Sequence, residues 1–292
     1  MKFLICIDDT DDLTKDTSTG LIATLIGRTL CNNRDMKMIK GVTRHQLLLM
    51  EGVPYTSHNS AMCIEVEGEG KLEELAKWCI DIVKENMAET SNPGICLCAI
   101  DNIEDINPLI SFGRRAQREI IEKDQVRRLK EELPNIIAEE IGGNGQGIIG
   151  AIAGVGLRLS GNDGTFRGKV KFPSYMQNIK IQEAKQRFNI DQVIDIEKNR
   201  ELSDSCMLLN GDYGKLLFRD YKKVAYAAKV SEGMYSLLGR EWAMDLDSNL
   251  GCSEFAMDND LNECITEDRV CKNCLYRRFT EEGMVCSLKM KN

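Results

Sequence analysis

Residues 5–30 read ICIDDTDDLTKDTSTGLIATLIGRTL: an apolar run, then five carboxylates within nine residues, then hydroxyls ahead of a striped apolar segment. Residues 2–7 have the length and composition of a buried strand. Leu21, Ile22, Leu25, Ile26 and Leu30 recur at spacings of three and four, which makes one apolar face of a helix. Asp8, Asp9, Asp11 and Asp12 thus crowd the end of a strand, where they repel one another unless a cation or solvent offsets them. Mg²⁺ suits such a place, because it takes one or two carboxylates and completes its shell with phosphate oxygens. Thr17, Ser18 and Thr19 open the helix, where free N–H groups and the dipole favour an anion. Two readings follow: a metal-phosphate site, with one or two of these aspartates on Mg²⁺ and Thr17 to Thr19 on phosphate, or an acidic turn with a Ser/Thr N-cap.

Working outward, the pattern of strand and helix repeats. AMCIEVEG places Met62, Ile64 and Val66 on alternate positions, and Leu72, Leu75, Cys79, Ile82 and Val83 form one helical stripe. SNPGICLCAI, residues 91–100, is a turn followed by a strand. A charged helix is expected from about Arg114 to Leu133, closed by Pro134. Near residue 142 the texture changes to a glycine cluster and a small-residue helix. Two strands joined at Gly161-Asn162-Asp163-Gly164 are expected next, then a helix over 180–189 and a strand over 205–210. After Gly251 five cysteines fall within 35 residues. The expected divisions are therefore 1–141, 142–250 and 251–292, in a mixed α+β or α/β chain.

The chain has 292 residues, 42% hydrophobic, which is enough for a sizeable core and more than one domain. No apolar stretch reaches the length of about 18 residues that a membrane helix needs, so cytoplasm and no membrane partner are the expectation. Twelve cysteines in such a compartment read as core thiols or metal ligands rather than disulfides. The net charge of −8 disfavours polyanion binding by the whole surface and confines any RNA contact to a local patch.

Three further groups of residues could carry chemistry. Gly145, Gly147 and Gly150 fit G-x-G-x-x-G, but no evident strand precedes them and no acidic residue follows at the dinucleotide-fold distance. They are read either as a loop that lets a phosphate approach the backbone or as a close-packing helix face. Arg44, His45, His58 and Asn59 lie in or near a polar stretch suited to substrate or phosphate contact and proton transfer. Cys264, Cys271, Cys274 and Cys286 contain one C-x-x-C pair and are read as a tetrahedral zinc site, as ligands of an iron–sulfur cluster, or as free thiols. Cys6, Cys63, Cys79, Cys96 and Cys98 lie on strand and helix patterns and are read as core. Arg114, Arg115 and Arg118 are read as a solvated helix face.

The motifs IDDTD, VPYTSHNSA, NPG and GQGIIGAIAGVG occur in an order that resembles the tRNA-isoleucine agmatinylcytidine synthetase family. The likeness covers roughly residues 3 to 230. It implies a kinase-like α/β domain followed by a ferredoxin-like α+β domain, with ATP and Mg²⁺ near the acidic motif and a cytidine oxygen activated by phosphate before an amine displaces it. On that resemblance Asp8, Asp9 and Asp11 are the metal and phosphate carboxylates, and Ser18 matches a threonine that the family autophosphorylates. Gly145, Gly147 and Gly150 match the glycine loop, and Asp163 with Thr165 match an acidic-x-Thr turn near the amine pocket. The implied partners are a nucleotide, an amine such as agmatine, and tRNA. The family's Lys-Thr-Arg-Gly stretch is replaced by Thr56-Ser57-His58, and 292 residues leave no room for the family's OB-type RNA module. The leading expectation is an ATP- and Mg²⁺-dependent phosphoryl-transfer enzyme; the alternative is a non-catalytic binding or regulatory protein for an amine or nucleotide.

Overall fold

The computed structural model describes residues 1–12, 17–48, 59–173, 175–210, 214–239, 277–280 and 283–286. The chain divides into two compact units, Met1–Ser160 and Gly161–Asn292. The architecture is mixed α+β, with mostly antiparallel strand pairing.

In the first unit β1 (Lys2–Asp8) is the middle strand of five. It pairs antiparallel with β3 (Ser60–Glu67) on one side and β4 (Gly94–Ala99) on the other; β2 (Lys37–Gln46) and β5 (Ile136–Glu140) lie outside these. Helices cover both faces, which explains why β1 reads as an unbroken apolar run. Phe3, Ile5 and Ile7 face α1 (Thr19–Asn33) and α2 (Leu72–Asn86), whose Ile22, Ile26, Leu75 and Cys79 share their cluster. Leu4 and Cys6 face the other way, into the cluster formed with α3 (Asn107–Ala116), α4 (Lys123–Glu132) and α5 (Gly147–Leu159). By the same alternation Asp8 falls on the α5 side.

Cys63, Cys6 and Cys96 are register partners across β3, β1 and β4. Burial raises the thiol pKa of Cys6 and Cys96 well above its usual value and pushes those of Cys79 and Cys98 up to about 12. These are inert core thiols, as the strand and helix patterns predict.

Several sequence expectations change. The charged segment from 114 to 133 is not one helix. Ile121 turns into the core between α3 and α4, and Glu122 and Gln125 form a reciprocal capping box that starts α4 afresh. The residues before the glycine motif do form a strand, β5, whose five residues end in two glutamates that conceal it. The expected hairpin at 161–164 is instead the turn from α5 into β6 (Thr165–Phe166). The division falls after Ser160 rather than near 142, because α5 buries nearly its whole surface in the first unit's core.

The second unit is built around β12 (Lys222–Ser231), flanked by β11 (Leu216–Arg219), β13 (Met234–Leu237) and a parallel β8 (Gln192–Asp195). β6 lies beyond β11, β7 (Asn178–Lys180) pairs with β10 (Met207–Leu209), and β9 (Arg200–Glu201) pairs with β8. α6 (Ile181–Phe188) buries Ile181 and Ala184 in a cluster with Phe166, Phe218 and Tyr235. β10 and α6 lie within the strand and helix expected at 205–210 and 180–189. In the tail, β14 (Arg277–Thr280) pairs antiparallel with β15 (Gly283–Cys286). Among the described residues no helix is long and apolar enough to cross a membrane.

Candidate functional site

The site is the acidic end of β1 and what closes around it. Asp8 is the last residue of β1, in register with Gly94, and is only 7% exposed. Asp9 follows with φ +55°, a left-handed conformation that Asp tolerates better than most residues and that turns the chain sharply off the sheet. Thr10 is fully buried, and its carbonyl accepts from the Ala88 N–H at 2.9 Å, which fixes the loop to the turn after α2. The Thr90 hydroxyl donates to Asp12 at 2.5 Å and strengthens that attachment.

The hydroxyls expected to meet phosphate have separate duties. Ser18 is the N-cap of α1; its Oγ accepts from the Leu21 N–H at 3.3 Å, a contact of a kind that contributes about 1 kcal/mol. Thr19 is buried, accepts from the Thr10 hydroxyl at 3.1 Å and donates to Asp11 at 2.9 Å. It therefore holds Asp11 against the start of α1. Thr17 donates to the Asn86 carbonyl at 3.4 Å. Asp8, Asp9, Asp11, Ser18, Thr17 and Thr19 thus belong to one neighbourhood of the first unit.

The glycine motif joins this neighbourhood by packing. A Cβ at Gly150 would lie 1.7 Å from Asp8 Oδ2, and one at Gly147 would lie 2.7 Å from the Asp8 carbonyl and 2.6 Å from the Gly94 nitrogen. The small face of α5 is filled by the Asp8 carboxylate and the 92–94 turn, so of the two readings of this face close packing describes Gly147 and Gly150. The amides at the helix start are also engaged: Gly147 N–H donates to the Asn92 carbonyl at 2.9 Å, Ile148 to Gly145 and Ile149 to Gln146. Gly145, with φ +67°, is buried against Glu140; the part of the loop open to solvent is Gly143 and Asn144. Lys123 ties Glu140 to this loop, bonding its carboxylate at 2.8 Å and also the Asn144 carbonyl.

Asn92 is the residue that a search for charged groups passes over. Its carbonyl seats α5, its Oδ1 accepts from the Asn144 N–H at 2.9 Å, and its side chain offsets part of the rise in the Asp9 pKa. The Asn-Pro-Gly turn is the available signal, since Pro93 and Gly94 fix the backbone that presents it.

The electrostatics follow from this enclosure. Burial, reinforced by the charges of Asp9 and Asp11, holds the Asp8 carboxyl well above the usual carboxylate range, and the Asp9 backbone bond offsets only part. Burial also raises Asp9, against the Asn92 side chain. A divalent cation fits this donor set in charge and hardness: two adjacent, partly dehydrated carboxylates, Asp8 and Asp9, with Asp11 beside them. Among the described residues no group of three His, Cys, Asp or Glu side chains is placed to hold a metal ion, Asp8, Asp9 and Asp11 included, so an ion here would have at most two of these carboxylates and would take the rest of its shell from water or substrate.

Other expected site residues lie elsewhere. Arg44 bonds Ser60 Oγ at 3.0 Å and Gln46 at 3.2 Å on β2 and β3. Asn59 clamps the same strand pair, donating to the Leu48 carbonyl at 2.6 Å and accepting from Gln46 and Leu47. His45 is fully buried, 2.8 Å from the Thr43 hydroxyl, which also accepts from the buried Arg158. In the second unit Thr165 is buried at the start of β6 and Asp163 stands in the preceding turn. His58, Cys264, Cys271 and Cys274 lie outside the described residues, and Cys286 is described only as the end of β15.

No family model matches the chain, and no curated protein matches it. Solved structures do. A crystal structure of apo TiaS, a tRNA-isoleucine agmatidine synthetase, is 23% identical with a TM-score of 0.46, covering 53% of this chain and 35% of that one. A TiaS complex with its tRNA and ATP is 21% identical with a TM-score of 0.45, and a tRNA fluorescent labeling enzyme 20% identical with 0.46; each match covers 65% of this chain and 44% of the other. The matches therefore span less than half the length of these proteins. The likeness is one of fold over part of the chain.

The packing of Asp8 on α5 makes a direct prediction. Gly150→Ala should destabilise the protein despite the better helix propensity of alanine, which by itself favours the substitution by about 1 kcal/mol. In an Asp8→Ala background the loss should largely disappear. Urea unfolding of the four proteins of this cycle reads the coupling; additive effects would mean that Asp8 does not occupy the glycine face.

Proposed function

We propose that the first unit binds ATP with Mg²⁺ at the acidic end of β1 and transfers its γ-phosphoryl group. The observation that carries this reading is Asp8: a carboxylate enclosed at a strand end beside Asp9 and Asp11, which raises the energy of the ligand-free fold and which a bound cation would offset. The motif order of the sequence supports the same reading.

Asp8 and Asp9 would hold the ion, which when bound neutralises charge on the phosphates. Ser18 is the phosphoacceptor we assign. Its Oγ is fixed by the cap to Leu21 while its hydroxyl proton stays available. Attack by Oγ on the γ-phosphorus forms the new P–O bond, the bond to the leaving ADP breaks, and the proton passes to Asp11, which Thr19 tethers beside the cap. The finer reading that the family resemblance supports is passage of that phosphoryl group to an acceptor oxygen, followed by attack of an amine on the carbon that bears this oxygen, with the C–O bond breaking and inorganic phosphate leaving.

Titration of the purified protein with ATP should give saturable heat in Mg²⁺ and little in EDTA. Equal binding with and without Mg²⁺ would separate ATP from the acidic loop. The rival reading, a small-molecule binding protein without transfer, is favoured by one observation: the amides opening α5 are already bonded within the protein. Under it ATP or an amine raises Tm with concentration and no ADP forms.

A further inference from the structure

We propose that the outer face of α3 is a second ligand site, for a phosphate-bearing molecule of nucleotide size. It shares no residue with the acidic loop and does not depend on the function proposed there. A concavity of about 650 Å³ opens along this helix, within the range of small-molecule sites and far larger than a water or a single phosphate needs. Asn107, Ser111 and Arg114 follow one another at steps of four and three on one face of α3, and Arg118, in the turn that follows the helix, lines the same hollow.

The charge of this face is unbalanced. Three guanidiniums line the hollow against one carboxylate, Glu119, and that carboxylate is paired with Arg115. Arg114 and Arg118 are exposed and have no carboxylate partner among the described residues. In a chain of net charge −8, with acidic groups in excess, such partners would be easy to supply. The helix C-terminus accounts for basic residues in its last turn, but not for a concavity lined by hydrogen-bond donors beside them.

The donors fit an oxyanion. Guanidinium forks present N–H groups in the geometry that phosphate oxygens accept in pairs, and Arg114 and Arg118 both line the hollow. The Ser111 hydroxyl lies on the same face. Asn107 spends one amide hydrogen on Asp105, at 2.8 Å, and retains the other. Ile110, partly buried, gives the hollow an apolar floor for the rest of the ligand. The phosphates would therefore sit between Arg114 and Arg118, with sugar or base toward Asn107. A free nucleotide or polyphosphate and an RNA strand both offer this chemistry.

The test uses the full chain in EDTA, so that the Mg²⁺-dependent site is silent, and measures binding of inorganic triphosphate, a nucleoside triphosphate and a short single-stranded RNA. Wild type should bind at least one of them, and Arg114→Gln with Arg118→Gln should weaken that binding at least about tenfold without lowering Tm. The same charge loss on α4, Arg127→Gln with Arg128→Gln, should leave it within about twofold. Triphosphates binding without RNA assign the site to free phosphates. RNA binding tighter, with log K falling by about 0.7 per phosphate contacted for each tenfold rise in salt, assigns it to a strand. No binding by any probe at millimolar concentration, or equal weakening by the α4 pair, overturns the proposal. Loss of Mg²⁺-dependent ATP binding in Asp8→Asn with α3 binding intact would show the two sites to be separate.

Discussion

Asp8→Asn should abolish Mg²⁺-dependent ATP binding and any phosphoryl transfer, and at the same time raise the Tm of the ligand-free protein. The first effect follows from removing the charge most enclosed by the loop. The second follows from linkage. Burial and the neighbouring Asp9 and Asp11 charges hold the Asp8 pKa well above its ordinary value. A carboxyl whose pKa is higher in the folded state keeps its proton there after the unfolded chain has released it. Native stability is therefore full below the ordinary carboxylate range and falls as pH climbs from the ordinary value toward the raised one. Wild type should accordingly lose Tm across that window, and Asp8→Asn should flatten the decline. Each kcal/mol relieved corresponds to about 2–4 °C in a protein of this class. A thermal shift series in pH, run on both proteins in EDTA, reads this. If Asp8→Asn lowers Tm at neutral pH, the carboxylate is a structural anchor and not a group held ready for a cation.

The largest loss of stability is expected from Gly94→Ala. A Cβ there would come within 2.0 Å of the Ile148 nitrogen and 2.2 Å of the Gly147 carbonyl carbon, both backbone atoms at the start of α5. No side chain can move to relieve them, so the helix must lift from β4 and from Asp8. The loss should exceed about 3 kcal/mol, at the upper end for single substitutions. Chemical unfolding of the purified variant, or its failure to accumulate in soluble form, checks this; a loss under about 1 kcal/mol would mean that α5 is not seated on the 92–94 turn.

Much of the first unit was legible because its signals were periodic. The run ending in Asp8 had to be a strand buried on both faces, and the stripe of α2 gave its inward side; that of α1 gave it only in part, since Ile22, Ile26 and Leu30 are buried while Leu21 and Leu25 are exposed. What escaped were short elements governed by tertiary contacts. β5 has only five residues and two of them are glutamates, so neither length nor alternation marked it as a strand. The break between α3 and α4 depends on Ile121 entering the core and on a capping box inside a segment whose charge pattern runs on without interruption. The attachment of α5 to the first unit was hidden for a related reason: its glycines read equally as a phosphate loop or as a close-packing helix face, and only the fold shows that they let the helix approach the sheet and α3 at backbone distance.

The site was legible in part. Crowded aspartates at a strand end stand out in any reading, and Ser18 as an N-cap follows from its place before an apolar stripe. The engagement of Thr19 with Asp11 and Thr10, and the filling of Gly150 by Asp8, were not, because both join segments far apart in sequence or depend on a hydroxyl's direction. Asn92 was hidden by its chemistry: a neutral amide in a turn gives no charge signal, yet it bonds Asn144 and the first turn of α5 and tempers the Asp9 pKa.

That the acidic loop holds ATP for phosphoryl transfer is tested most directly by intact-mass measurement after incubation with Mg²⁺ and ATP, with nucleotide products read from the same sample. Wild type should gain one phosphate that maps to Ser18, with matching ADP, and neither should form in Ser18→Ala or in Asp8→Asn while both remain folded. No mass gain and no ADP from wild type, or a gain that persists in Asp8→Asn, would contradict it.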